Sequence, residues 1–118
     1  MESEQLATLH IDWQGDVLVA GIDGELDRSN AEQLGNSLMK TSSAAKACVV
    51  DLSGLLYLDS AALTMLHVLA QQAQPLHLVT PTGSRATRLI QIGGLDTVLA
   101  THETREAAIA AAEAESPA

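Results

Sequence analysis

The alternation of apolar and polar stretches along the chain predicts strands and helices that follow one another. Five apolar runs have the length of a strand: residues 6–11, 17–22, 47–52, 76–80 and 98–101. The first two runs are separated by turn-forming residues at 14–16, so we expect a β-hairpin at the start of the chain. The run at 47–52 is continuously apolar, which is typical of a strand buried on both faces.

Between these runs, four segments carry apolar residues at helical spacing and begin near a residue that caps helices well. The predicted caps are Asp27 or Ser29 for a helix to about residue 43, Ser60 for a second helix, and Thr101 or Thr104 for the last, while the third helix is predicted over residues 84–92. In the second helix, polar residues recur at steps of four, three and four. Ser60, Thr64, His67 and Gln71 therefore share one stripe, which we expect to face solvent.

This order of elements predicts an α/β fold, with a mixed sheet of four to five strands, an N-terminal β-hairpin and about four helices packed on the sheet. At 118 residues, the chain has the size of one domain. No repeat or linker divides it. We expect a single domain over residues 1–118, with a core at about 6–112 and a short flexible tail at 113–118.

The composition of the chain argues against several classes of function. The formal net charge of −9 repels both a nucleic-acid backbone and an anionic membrane surface, and aromatic residues for stacking on bases are nearly absent. The acidic N-terminus does not resemble a signal peptide, and the apolar stretch at 55–70 is interrupted by polar residues. We therefore expect a cytoplasmic protein with no nucleic-acid partner and no membrane insertion.

Charge is spread unevenly along the chain. Residues 2–32 hold eight acidic residues and a single base, Arg28. Between Asp59 and Asp96 there is no acidic residue, and Arg85 and Arg88 lie in that stretch. An acidic protein thus contains a segment of local positive charge.

The pair Asp59 and Ser60 is the strongest candidate for a functional site. A serine at the start of a helix is most often only a cap, but the free amides of the first turn also favour a phosphate group. Ser60 lacks the positioned base that a nucleophilic serine needs, and the four histidines lack metal-ligand spacing. We therefore expect no enzyme activity, no metal and no cofactor. Cys48, inside an apolar run, is expected to be a core residue.

Three motifs occur in an order and at spacings that resemble the STAS domain family. They are GELD at 24–27, VVDLSGL at 49–55 followed by LDS at 58–60, and RLIQIGGL at 88–95. The chain is most similar to the small single-domain members, the bacterial anti-sigma factor antagonists. On local evidence alone, GELD would be a turn followed by a helix cap. The resemblance instead implies that Asp27 lies on the same binding surface as Ser60.

The resemblance implies a phosphorylation switch. The unphosphorylated protein would bind a cognate anti-sigma factor with serine/threonine kinase activity and release a sigma factor. Phosphorylation of Ser60 would end that binding, and a phosphatase would reverse the modification. The implied partner-binding residues are Asp27, Asp59, Ser60, Ala61, Thr64 and His67. The resemblance leaves the oligomeric state open.

Ala61 and Ala62 stand where the family usually has a small pair such as Ser-Gly. Ala61 leaves Ser60 as the only hydroxyl in the loop, and Ala62 favours the helix by up to about 1 kcal/mol relative to glycine. A second hypothesis is a structural or regulatory subunit of a lipid-transport ABC ATPase complex, which need not be phosphorylated. Those members often carry Thr-Gly-Gly at this position, and the present chain does not.

Overall fold

The computed structural model of the protein describes residues 7–72 and 75–115. Its six strands are β1 (Ala7–Gln14), β2 (Val17–Leu26), β3 (Ala47–Asp51), β4 (Leu55–Leu58), β5 (Leu76–Val79) and β6 (Ala100–His102). Its four α-helices are α1 (Ala31–Ser42), α2 (Ser60–Gln72), α3 (Arg85–Ile92) and α4 (Arg105–Glu115). A short 3-10 helix, Leu95–Thr97, connects α3 to β6.

The strands form one mixed sheet in the order β1-β2-β3-β5-β6, and β4 also pairs with β2. β1 and β2 form the antiparallel N-terminal hairpin, while all the other pairings are parallel. The predicted α/β class, the mixed sheet and the opening hairpin are confirmed. The sheet has one strand more than the largest number expected. The additional strand is β4, which lies between the predicted strand at 47–52 and the helix that starts at Ser60.

The two faces of the sheet are covered by different helices. Alternate strand residues such as Leu18, Val50 and Leu78 pack in a core with α1, α2 and α3. The residues between them, such as Val19 and Val49, pack with α4 on the opposite face. All five residues of β3 are buried because helices cover both of its faces. The continuous apolar run at 47–52 was therefore correctly predicted as a fully buried strand.

The pairing partner of β2 changes along the strand. Residues 17–21 of β2 pair with β3, but from Gly24 onward β2 pairs with β4, and the register shifts between Gly24 and Glu25. Gly24 has a φ of 96°, a conformation that residues with a Cβ rarely adopt. Gly24 to Leu26, for which local evidence favoured a turn, are instead the end of a strand. β4 follows β3 along the same side of β2, so the end of β2 lies beside the end of β4.

Several predicted boundaries and caps differ from the structure. The hairpin strands are longer than expected, and β6 ends at His102 rather than at residue 101. α1 begins after Asn30, which makes no side-chain cap hydrogen bond, so neither Asp27 nor Ser29 is its N-cap. Ser84, predicted as the first residue of the third helix, is instead its N-cap and accepts from the Thr87 amide, and Thr104, rather than Thr101, caps α4 by accepting from the Ala107 amide.

The C-terminal part of the predicted tail at 113–118 lies outside the described residues, while residues 113–115 continue α4. Ala73, expected to pack on the sheet, also lies outside the described part of the chain. No helix within 7–72 and 75–115 has the length and hydrophobicity needed to cross a bilayer.

α1 and α2 approach each other closely at Gly35, where a Cβ atom would lie 2.6 Å from Met65 Cγ. We expect Gly35→Ala to lower the free energy of unfolding by about 1 kcal/mol, because the clash outweighs the gain in helix propensity. In a Met65→Ala background the clashing atom is absent, and the same change should stabilise by up to about 1 kcal/mol. Urea unfolding of the four proteins measures both effects. An effect of the same sign in both backgrounds would contradict this packing.

Candidate functional site

The site lies where two parallel strands leave the sheet side by side. Leu26 and Leu58, the last residues of β2 and β4, are partners in the register. The Asp59 amide donates to the Leu26 carbonyl oxygen over 3.2 Å. The chain therefore brings Asp27, directly after β2, next to Asp59 and Ser60, directly after β4. This juxtaposition, expected from the resemblance alone, follows from the parallel pairing of β2 with β4.

Asp59 caps α2. Its Oδ1 accepts a hydrogen bond of 3.0 Å from the Ala62 amide, and its carbonyl oxygen accepts from the Leu63 amide. Its other carboxylate oxygen, Oδ2, accepts from the Arg28 amide at 3.0 Å. The prediction that Ser60 is the N-cap was wrong, because Asp59 fills that position and Ser60 is the first residue of the helix. One carboxylate thus connects α2 to the loop that follows β2.

Ser60 is exposed, and no group among residues 7–72 and 75–115 forms a hydrogen bond with its hydroxyl. Its carbonyl oxygen accepts a hydrogen bond from the Thr64 hydroxyl one turn later. Thr64, His67 and Gln71 are exposed along the same face of α2, as predicted, while Ala61 is half-buried beside it. The Ser60 hydroxyl is therefore open to a partner and has no role in capping.

Asp27 lies in a tight loop that its own side chain stabilises. Its Oδ1 accepts from both the amide and the hydroxyl of Ser29, at 2.9 and 2.6 Å. The hydrogen bond from the Ser29 hydroxyl, followed by the one from the Ser29 amide, holds the pKa of Asp27 below its ordinary value. Both bonds use Oδ1, and within the described residues Oδ2 has no hydrogen-bond partner. An ionised oxygen of Asp27 is thus available near Ser60.

An apolar groove of about 330 Å³ runs between α1 and α2 next to these residues. Ala31, Met39, Met65 and Val68 supply apolar lining. Ala61 and Thr64 line it as well, so the groove adjoins the exposed face of α2. The α1 residues that line this groove were not among the predicted site residues.

Arg28 is a second residue that the sequence analysis did not assign to the site. Its amide binds Asp59, and its side chain lines the groove. The sequence feature that could have pointed to Arg28 is its charge, because it is the single basic residue in the segment 2–32, which holds eight acidic residues. Arg28 therefore belongs to the loop that carries Asp27 and contacts Asp59.

The histidines and the cysteine were expected to be ordinary surface or packing residues. Cys48 is buried, as predicted, and burial raises its pKa to about 12. His77 and His102, by contrast, are in contact, with 2.9 Å between His77 Nδ1 and His102 Nε2. In the described part of the chain, no group of three or more His, Cys, Asp or Glu side chains is arranged to hold a metal ion.

Comparison with known proteins identifies the family of the chain. The family model described as "Mlab, STAS domain" matches residues 9–101. The chain belongs to the STAS domain family. The match includes β2, β4 and α2, and hence all six predicted site residues. No curated protein sequence matches the chain significantly.

Solved structures of other STAS-like proteins have the same fold. An anti-sigma factor antagonist from Mycobacterium paratuberculosis superposes with a TM-score of 0.82 and 23% identity, over 91% of this chain and 94% of that chain. A proposed anti-sigma factor antagonist from Thermotoga maritima gives 0.78 and 17%, over 89% and 94%. The Bacillus cell-fate determinant SpoIIAA in its phosphorylated form gives 0.63 and 18%, over 86% and 96%.

Proposed function

We propose that this STAS domain is an anti-sigma factor antagonist whose binding surface is formed by Asp27, Asp59, Ser60, Ala61, Thr64 and His67. In its unphosphorylated form it binds a cognate anti-sigma factor that is also a serine kinase, and a sigma factor is released. Phosphorylation of Ser60 ends the binding, and a phosphatase restores it. The domain acts in the cytoplasm, by binding rather than by catalysis.

One observation carries this proposal: Asp59, and not Ser60, caps α2. Modification of an N-cap hydroxyl would disturb the hydrogen bond that starts the helix. Here the Ser60 hydroxyl is exposed, and its modification removes no hydrogen bond within the described residues. The similar fold of SpoIIAA, which has been solved in a phosphorylated form, also supports a STAS fold that tolerates phosphate.

The local electrostatics are compatible with a phosphate at Ser60. A phosphoserine carries about −1.5 to −2 charges at neutral pH. The positive end of the α2 dipole attracts it, and the carboxylate of Asp59 repels it. Because Asp59 already accepts two backbone hydrogen bonds, part of its charge is compensated. We therefore expect the fold to persist while the charge of the binding surface changes.

That change of charge would act directly on the partner. The surface combines exposed polar residues of α2 with the adjoining apolar groove between α1 and α2. A partner packed against Ser60 would have to desolvate the phosphate or leave it without a counter-charge, which costs several kcal/mol in a buried interface. The same argument applies to a glutamate at position 60, with a smaller charge.

The proposal predicts that Ser60→Ala binds the anti-sigma factor and that Ser60→Glu binds it at least about tenfold more weakly. Gln71→Glu is the matched control, because it adds the same charge to the exposed face of α2 three turns away. Affinity capture from bacterial cytosol with the three baits, followed by titration of the captured protein, measures the difference. Incubation of the captured protein with ATP should phosphorylate the wild type on Ser60 and leave Ser60→Ala unmodified.

Equal affinity of Ser60→Ala and Ser60→Glu would overturn the switch. Equal weakening by Ser60→Glu and Gln71→Glu would assign the effect to overall charge instead of to position 60. Capture of an ABC ATPase together with a membrane permease by all three baits would support the alternative function in a lipid-transport complex.

A further inference from the structure

The outer edge of β1 has no role in the proposed function. β1 is the terminal strand of the sheet, and within residues 7–72 and 75–115 no strand pairs with its outer edge. It has eight residues, whereas β6 at the opposite edge of the sheet has three. Long edges are usually protected by a proline, a lysine or a β-bulge, but β1 has none of these, and its register with β2 is continuous. The edge is therefore able to pair with another strand.

The backbone groups on this edge belong to the odd-numbered residues of β1. A two-residue turn connects Gln14 to its register partner Val17, and the residues that flank such a turn exchange hydrogen bonds with each other. Because the pattern alternates, even-numbered residues bond to β2, and odd-numbered residues direct their N–H and C=O groups outward. The Trp13 amide accordingly donates to the carboxylate of its neighbour Asp12, at 2.9 Å. This exposed hydrogen bond is consistent with an outward-facing amide.

The side chains of the same odd-numbered residues form an apolar row along the edge. Leu9 is half-buried, and Ile11 and Trp13 are each 41% exposed. Their register partners on β2 belong to the core under α1, α2 and α3, so the row lies on that face of the sheet. The even-numbered residues, among them His10 and Asp12, lie on the opposite face. A strand added to this edge would therefore cover apolar side chains on one face and meet charged ones on the other.

The sequence of β1 is complementary to itself in one register. A second, antiparallel copy can satisfy the outward groups only where odd-numbered residues lie opposite odd-numbered residues. A two-fold axis at Ile11 does so, and it places His10 opposite Asp12 of the second copy, twice by symmetry. An axis at His10 would oppose two histidines and an axis at Asp12 two aspartates, and like charges directly opposite destabilise a strand pair. An axis nearer either end of β1 would pair fewer residues.

His10 can bind this carboxylate without losing its partner within the chain. Its Nε2 lies 2.9 Å from Asp23 Oδ2 on β2, so Nδ1 is left for Asp12 of the second copy. An imidazole between two carboxylates is stabilised in its protonated form, in which both ring nitrogens donate. Arg105 is the nearby group of the same charge, and it is itself paired with Asp51.

We infer that β1 is a dimerisation edge, which pairs antiparallel with β1 of a second copy of the chain about a two-fold axis at Ile11. The axis sets Ile11 opposite itself and Leu9 opposite Trp13, so the apolar row of one copy covers that of the other. The two sheets become one. A single strand pair buries less surface than a standard interface, so the dimer forms reversibly. The net charge of −9 on each copy opposes association, but salt screens exposed charges more than about 8 Å apart.

The first test is sedimentation velocity of the full chain at about pH 6.5, over about 10 μM to 1 mM, with tryptophan fluorescence over the same range. We expect a dimer whose fraction rises with concentration. Trp13 is the single tryptophan of the chain, so its emission should shift to shorter wavelength in step with the dimer, as Leu9 of the second copy covers it. A chain that stays monomeric at the highest concentration would overturn the inference. So would a dimer that leaves the emission unchanged.

The charged pair tests the register. His10→Asp places two carboxylates opposite each other at two symmetric positions and should weaken the dimer about tenfold or more. Asp12→Lys should also weaken it, whereas His10→Asp/Asp12→Lys restores opposite charges and should dimerise more tightly than either single variant. Gln91→Asp is the matched control, because it adds a negative charge at an exposed position of α3 and should change the dissociation constant less than about twofold. A double variant no tighter than both single variants would contradict this register.

Ile11→Pro tests the backbone contact. Proline is tolerated in an edge strand where the missing N–H faces outward, so the variant should keep the circular dichroism spectrum of the wild type. Its dimer loses the hydrogen bonds at the axis and should be weakened about tenfold or more. Unchanged dimerisation of the folded variant would overturn the inference, and if the variant does not fold, the charge variants decide. None of these results bears on capture of the anti-sigma factor by the Ser60 baits, since the dimer is independent of the proposed function.

Discussion

Replacement of Arg105 by methionine is expected to lower the free energy of unfolding by about 2 kcal/mol. Arg105 Nε donates to Asp51 Oδ2 over 2.7 Å, and the Asp51 side chain is only 9% exposed. Removal of one partner from a buried ion pair costs roughly 3–5 kcal/mol, because the other charge stays buried without compensation. The Arg105 side chain is 41% exposed, so water replaces part of the lost interaction and the expected cost is smaller.

The pair connects the end of β3 to the first turn of α4, which covers this face of the sheet within the described residues. Asp51 and Gly21 are register partners, and a Cβ atom on Gly21 would lie 3.1 Å from Arg105 Nη2. Glycine at this position leaves room for the guanidinium over the sheet. Loss of the pair should therefore loosen α4 more than the rest of the fold.

The effect of Arg105→Met should shrink as the pH falls. Burial raises the pKa of Asp51, but hydrogen bonds from the Ser53 hydroxyl, Arg105 and the Ser53 amide, with the charge of Arg105, outweigh burial and hold it below its ordinary value of 3.8. A group with a lowered pKa in the folded state stabilises the protein above its unfolded pKa. That contribution is lost as the pH falls through the folded pKa. Arg105→Met has already lost the part of this contribution that comes from Arg105, so the difference in the free energy of unfolding between the wild type and the variant should narrow as Asp51 becomes protonated.

Urea unfolding at several pH values measures both effects. Arg85→Met is the control, because Arg85 is exposed and makes no ion pair in the described structure, so its loss should change stability by less than about 0.5 kcal/mol. The double variant Asp51→Asn/Arg105→Met should recover part of the lost stability, since no buried charge is left unpaired. If Arg105→Met were as stable as Arg85→Met, the ion pair would contribute nothing.

Much of the fold was predictable because short-range patterns determine it. The buried strand β3 follows from five consecutive apolar or small residues ending in Asp51, and the exposed face of α2 from polar residues at steps of four, three and four. β4 was not predictable in this way. Its four residues have a buried, exposed, exposed, buried pattern, and it is a strand because it pairs with the second half of β2. Such pairing depends on the tertiary structure and not on local periodicity.

The candidate site was predictable in part, for a similar reason. The motifs located Asp59 and Ser60 at the start of a helix, but both residue types are good caps, and spacing alone does not choose between them. The choice depends on a contact with the Arg28 amide, 31 residues earlier. The contacts of His77 with His102 and Glu115 span 25 and 38 residues. No local pattern in the sequence marks interactions over such distances.

Because Asp59 caps α2 and also binds the loop after β2, its replacement should have a large effect on stability. We expect Asp59→Ala to lower the free energy of unfolding by about 2 kcal/mol, because it removes the cap on the Ala62 amide and the acceptor for the Arg28 amide. Asp59→Asn should cost about half as much, since its amide oxygen can still cap the helix while its NH₂ group cannot accept from Arg28. Ser60→Ala should change stability by less than about 0.5 kcal/mol.

Chemical unfolding of these three variants measures the order of the effects, and a larger loss for Ser60→Ala than for Asp59→Ala would restore Ser60 as the cap. Asp59→Asn also separates folding from binding. It keeps the helix but releases the loop that carries Asp27 and Arg28, so the two halves of the proposed binding surface lose their connection. Under the proposed function, its affinity for the anti-sigma factor should fall about tenfold at a temperature where the variant is fully folded. Unchanged affinity would show that the partner binds α2 without using that loop.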